Sequence, residues 1–139
     1  MIHFFYEECV PLPKEHEISA LKSTQLIDNE GFVLGNINII FCSDDYLLSI
    51  NKAHLNHDFY TDIITFSFNK EKEISGDLFI SVDRARENSE INNETYLKET
   101  SRLVIHGLLH LCGYNDKTDT QRKTMRSKEN QYLKIIGFT

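Results

Sequence analysis

The residue types best suited to chemistry are gathered between positions 106 and 116, in the run HGLLHLCGYND. His106 and His110 are four apart, so on a helix they share one face, about one turn from each other. Both imidazoles can then reach a single metal ion. Gly113 follows three residues after His110 and Asp116 three after that, giving H-x3-H-x2-G-x2-D. A glycine there can take a left-handed conformation, end the helix and fold the chain back toward it. Asp116 is then placed to supply a third, oxygen donor from the returning segment. Three protein donors with an open fourth position describe a catalytic metal site, whereas structural zinc sites close all four.

The surroundings favour the same reading. From Leu103 to Leu111 the helix is apolar on every side except at the histidines, so it should be buried all round. Two buried imidazoles without partners would be costly, and a metal removes that cost. Such a metal lowers the pKa of a bound water and polarises a substrate oxygen, which makes hydrolysis the first expectation. In H-E-x-x-H metalloproteases a glutamate after the first histidine is the general base. Here that place is Gly107, so any base must come from elsewhere. A carboxylate ligand also makes the site harder than an all-histidine one, which leaves zinc, manganese, iron and nickel open.

Two further polar residues lie near the histidine face upstream. Glu99 could be a base or a partner of the ligands, or an exposed helical acid. Arg102 could hold a phosphate or pair with a neighbouring carboxylate. These two are the candidate catalytic residues. Arg122, Lys123, Arg126 and Lys128 could flank the site on the last helix. His54 and His57, three apart, have no third donor nearby and are not read as a second site. Cys112 is close in sequence to the histidines, yet at about 100° per residue it points away from their face and reads as packing.

The elements that position these residues belong to one domain over residues 1–139. A chain of 139 residues with 40% hydrophobic content can build a real core. No run approaches a membrane span, and Ile2 to Tyr6 is too short to be a leader peptide. Cys9, Cys42 and Cys112 are odd in number and widely spaced, which fits a reducing cytosol better than a disulfide framework. The net charge of −6 argues against a general nucleic-acid binder. Its distribution is uneven: residues 98–139 hold eight Lys/Arg against four Asp/Glu, and residues 1–97 hold seven against seventeen. The basic final third is either a phosphate-binding surface or a solvated helix face.

In chain order, residues 2–6 read as a strand, and a helix follows the prolines from Glu15 to Gly31 with Ile18, Leu21 and Leu26 inward. Asn36 to Cys42 is a second strand, and Ser43 opens a second helix. Asp62 to Phe68 is a third strand, with Ile64 and Phe66 on one face and Ile63 and Thr65 on the other. A polar connection leads to a fourth strand that opens at Gly76 and ends near Asp83. Arg84 to Ser89 continues as a short helix. Asn92 and Asn93 cap a long helix from Glu94 to Cys112, and Thr118 or Asp119 caps a last helix stopped by Gly137. The pattern implies an α+β domain: a mixed sheet of about four strands packed on helices.

HGLLHLCGYND, with TDIITFSF at 61–68, GDLFIS at 76–81 and LNH at 55–57, resembles the YbeY family of bacterial endoribonucleases over nearly the whole chain. The resemblance implies a zincin-like α+β fold and one divalent metal, usually zinc, held at His106, His110 and Asp116. It also implies a cytoplasmic role in ribosomal RNA maturation, at the 3′ end of small-subunit rRNA, and in ribosome quality control. The implied partners are ribosomal RNA and ribosomal proteins, with no membrane. Two departures stand out. The family's third ligand is usually histidine where this chain has Asp116, and the family's longer loop between the LN and TD motifs carries an arginine that LNHDFYTD lacks. Arg84, Arg86 or Arg102 could substitute. The rival to a hydrolase is a non-catalytic ribosome-assembly factor whose metal only holds the last two helices together; Gly107 weighs against a peptidase.

Overall fold

The computed structural model describes residues 1–139. Four strands form one mixed sheet in the order β1 (Ile2–Glu7), β2 (Val33–Cys42), β4 (Glu73–Ser81), β3 (Ile63–Ser67). β1 and β4 run parallel to β2, and β3 returns antiparallel along β4, leaving β1 and β3 as the two edges. Alternation along each strand divides the residues between two faces. Ile37, Ile39 and Phe41 of β2 and Ile74, Leu78 and Ile80 of β4 point into the main core. Ile64 and Phe66 of β3, with Phe79 and Cys42, point to the other face.

Each face is covered by different helices. α3 (Asp44–Leu55) packs on the side of Phe79 and Ile64 and contributes Leu47. On the other side lie α1 (Lys14–Ser23), α2 (Gln25–Asn29), α4 (Val82–Ile91), α5 (Tyr96–Leu111) and α6 (Asp119–Ile135). α5 runs through the middle of this layer, and its Leu103, Val104, Ile105, Leu108, Leu109 and Leu111 are all buried. Gly107 is what lets it lie so close to the sheet. A Cβ there would sit 2.7 Å from Leu78 Cδ2 and 2.9 Å from Ile63 Cδ1.

Four expectations are corrected. The segment after the prolines is two helices, α1 and α2, broken at Thr24, and Ile18 and Leu21 are about half exposed. α1 instead buries His16, Ser19, Ala20 and Ser23. Its polar face is satisfied by α5, where His16 Nδ1 lies 2.9 Å from Thr100 Oγ1 and Ser19 Oγ 2.6 Å from Ser101 Oγ. The strand ending at Ser81 begins at Glu73 rather than Gly76, because Glu73 and Ile74 already pair with β2. Val82 and Asp83 belong to α4, whose cap is the Ser81 hydroxyl, accepting from Arg84 N at 3.1 Å. Asn92 and Asn93 close α4 rather than cap the next helix. Asn93 takes φ of 54° and its N–H bonds Glu90 O at 3.2 Å, while Thr95 caps α5. Thr118 caps α6 in a reciprocal box with Gln121.

Candidate metal centre

The site is built at the C-terminal end of α5. Gly113 adopts φ of 101°, its N–H reaches His110 O at 3.0 Å, and the Tyr114 N–H reaches Leu109 O at 3.1 Å. This paired arrangement ends the helix in a left-handed turn and sends the chain back past its own last turn. Asp116 is carried into place by that return. Its Oδ2 lies 3.4 Å from His106 Nε2 and 3.3 Å from His110 Nε2, and the two Nε2 atoms are 3.0 Å apart. Tetrahedral ligands about 2.1 Å from one cation stand about 3.4 Å from each other. The three donors therefore already have the spacing of a metal's coordination shell.

The protons point to the same conclusion. His110 Nδ1 is 2.8 Å from the Tyr114 carbonyl oxygen, which can only accept, so Nδ1 carries the proton. His106 Nδ1 is 2.7 Å from Glu129 Oε2, and a carboxylate also only accepts. In neutral imidazoles both Nε2 atoms then present lone pairs to each other and to the Asp116 carboxylate. Three electron-rich atoms at this spacing repel unless a proton or a metal ion lies among them. The donor set thus fits a divalent metal of the zinc type, with histidines oriented by hydrogen bonds on their far nitrogens. His106, His110 and Asp116 are brought together as the sequence spacing requires.

Glu129 was not singled out from the sequence. It sits on α6, is 4% exposed, and bonds His106 with one oxygen while its other accepts from Arg102 Nη1 at 3.2 Å. Burial opposes a charged His106. The Glu129 hydrogen bond and charge, helped by Asp116 and Asp62, outweigh it and raise His106 above its ordinary value. The other side of the site is anchored by Glu30 at the end of α2. Its carboxylate accepts from Tyr114 Oη at 2.5 Å, from Tyr132 Oη, and from Lys128 Nζ at 3.2 Å. Burial works to raise Glu30, but these three donors together hold it below its ordinary value. Glu30 thereby pins the residue whose carbonyl orients His110.

Beside His106 a cavity of about 270 Å³ is lined by Asp62, Asn88, Glu99, Arg102, Arg126 and Glu129, among others. The exposed alternative for Glu99 is corrected here: it is 4% exposed, and burial raises its carboxyl. Arg102 takes its ion-pair role, bonding Glu129 and Asn130 Oδ1. Asp62, at the head of β3, is also raised by burial, and its nearest side-chain donor is Asn88 Nδ2 at 3.5 Å. Arg84 is paired with Asp44 and Arg86 lies over Tyr96. Arg122 donates to the Asp116 and Lys117 carbonyls. His54 and His57 pack on different rings, Phe66 and Phe59.

Comparison with known proteins identifies the family. The family model described as Endoribonuclease YbeY matches residues 14–137. This chain belongs to the YbeY family. An endoribonuclease YbeY from Flavobacterium psychrophilum is 44% identical over 137 residues, covering 98% of this chain and 96% of that protein. One from Parabacteroides distasonis is 43% identical over 134 residues, with 95% and 94% covered. A solution structure from Thermotoga maritima superposes with a TM-score of 0.70 at 29% identity, over 98% of this chain and 89% of that one. The α+β architecture of the chain is that of the YbeY family, and no helix is long and apolar enough to cross a membrane.

Proposed function

We propose that this chain is a single-metal endoribonuclease that hydrolyses phosphodiester bonds of ribosomal RNA in the cytoplasm. Its place would be maturation of the small-subunit rRNA 3′ end and ribosome quality control. The observation that carries the reading is the convergence of two Nε2 lone pairs and one carboxylate oxygen at metal-ligand spacing. A divalent cation held there, with zinc first among the candidates, would acidify a water and offset charge gathering on the phosphate.

The chain's own residues supply the rest. Glu129 keeps the proton on His106 Nδ1 and the Tyr114 carbonyl keeps it on His110 Nδ1, so both Nε2 atoms stay free to bind. Arg102 is committed to Glu129 and Asn130, so it orders the ligand shell rather than the substrate. Glu99 lies beside Arg102 at 4.0 Å. Asp62, without an arginine partner, is the carboxyl in the cavity best suited to accept a proton from the attacking water. Gly107 cannot serve, because a side chain there would run into β3 and β4. Three protein donors rather than four favour hydrolysis over a purely structural metal.

The test is cleavage of a structured ribosomal RNA fragment, with metal content measured on the same preparations. Wild type should cleave and lose activity to a chelator, His110→Ala should lose both metal and activity, and Asp62→Asn should keep the metal but lose most of the rate. Cleavage that persists in metal-free His110→Ala would rule the reading out.

A further inference from the structure

Resting on the nuclease reading above, we propose that the groove between α5 and α6 is the track along which single-stranded RNA leaves the metal centre. Arg102 and Arg126 line both the cavity beside His106 and a second cleft of about 490 Å³. The second cleft continues along α6 past Asn130 to Lys134, with Lys98 on the α5 side.

The charges in this cleft differ in how far they are spent. Lys98 is held by Glu94 at 3.0 Å and Arg102 by Glu129 at 3.2 Å. Arg126 has a 60% exposed side chain, and its nearest carboxylate oxygen, at 3.6 Å, is the one Glu129 already shares with Arg102. Lys134 and Lys123 are exposed and have no carboxylate within ion-pair reach. Positions 123, 126, 130 and 134 are spaced by three, four and four, so they form one stripe along α6. The stripe is about 16 Å long. Asn130 sits within it, its amide oxygen occupied by Arg102 and its NH₂ free to donate.

The opposite face of α6 faces inward, with Met125, Tyr132 and Leu133 in the core and Glu129 on His106. One rigid helix therefore orients a metal ligand and presents the cations, which fixes the register of a bound strand relative to the site. The protein's net charge of −6 repels a polyanion at long range. Arg126, which lines both the metal-site cavity and the cleft, and Lys134 farther along the cleft leave a local row of unspent cations, which is what a phosphate backbone requires. It would bind phosphates without reading bases.

Binding of a labelled single-stranded oligoribonucleotide, recovered intact, should be followed by fluorescence anisotropy across a salt series. Arg126→Gln and Lys134→Gln should each lower the slope of log affinity against log salt by about 0.7, and the double variant by about 1.4, with metal content unchanged. Lys52→Gln, on α3 across the sheet, should leave the slope alone. An unchanged slope in the double variant overturns the track even if chelator-sensitive cleavage stands. A reduced slope supports it even if no cleavage is found, in which case the nuclease reading alone fails. Equal competition by an acidic peptide of the same charge would overturn RNA as the occupant.

Discussion

The two faces of the sheet are built to different standards. On the α5 face, nineteen buried residues form one continuous core drawn from five helices and two strands. On the α3 face the buried cluster is three residues, Cys42, Leu47 and Ile64, with Tyr46, Ile50, Phe66 and Phe79 partly covered around it. The candidate site lies wholly on the first face. Metal ligands must be held within a few tenths of an ångström, and close-packed interiors are what resist such displacement. The lesson is that the larger buried core lies where geometry matters, while the second face need only hide apolar surface.

The sharpest way to break this comparison is to remove matched volume from each face. Leu108→Ala and Leu47→Ala both empty fully buried positions, and each should cost about 2–5 kcal/mol. Only Leu108→Ala should also weaken metal binding, as read by titration calorimetry. Equal loss of metal affinity in Leu47→Ala would dissolve the distinction. Next in size, Glu129→Gln should reduce metal affinity by about 10–100-fold by weakening the bond that orients His106. Gly107→Ala drives a methyl into Leu78 and Ile63, at a cost of about 1–3 kcal/mol from overpacking. Better helix propensity returns about 1 kcal/mol of that, so urea denaturation should show a small net loss.

The smallest effect is at Glu30, whose carboxyl is held below its ordinary value of 4.5 by Tyr114, Tyr132 and Lys128 despite burial. A depressed carboxyl contributes stability above the unfolded pKa and loses it as pH falls through the folded value. Wild type should therefore exceed Glu30→Gln in stability most clearly above about pH 4.5, and the gap should narrow in acid. A gap that widens on acidification would mean the carboxylate is not what holds the turn.

The two faces also differ in how legible they were. The division of Ile63 and Ile64 across the sheet is plain from alternation, and the histidine pair with its glycine turn is plain from helical spacing, because both are local rules. Glu129 is not, since it reaches His106 from another helix and only tertiary packing makes them neighbours. Glu99 is a similar case, buried in the folded chain with Arg126 and Glu129 of α6 acting on it from another helix. α1 misleads for a different reason. Apolar residues were expected inward, but the helix buries His16 and Ser19 because Thr100 and Ser101 of α5 offer them partners. A polar residue matched by a polar residue leaves no mark in hydrophobic periodicity.

The most direct measurement is anomalous X-ray scattering from crystals of metal-loaded protein, at the absorption edge of the bound element. One peak should lie about 2.0–2.2 Å from His106 Nε2, His110 Nε2 and an Asp116 oxygen, with no fourth protein atom in the shell. No peak between these three side chains, or a closed shell of four protein ligands, would contradict the hydrolytic metal centre.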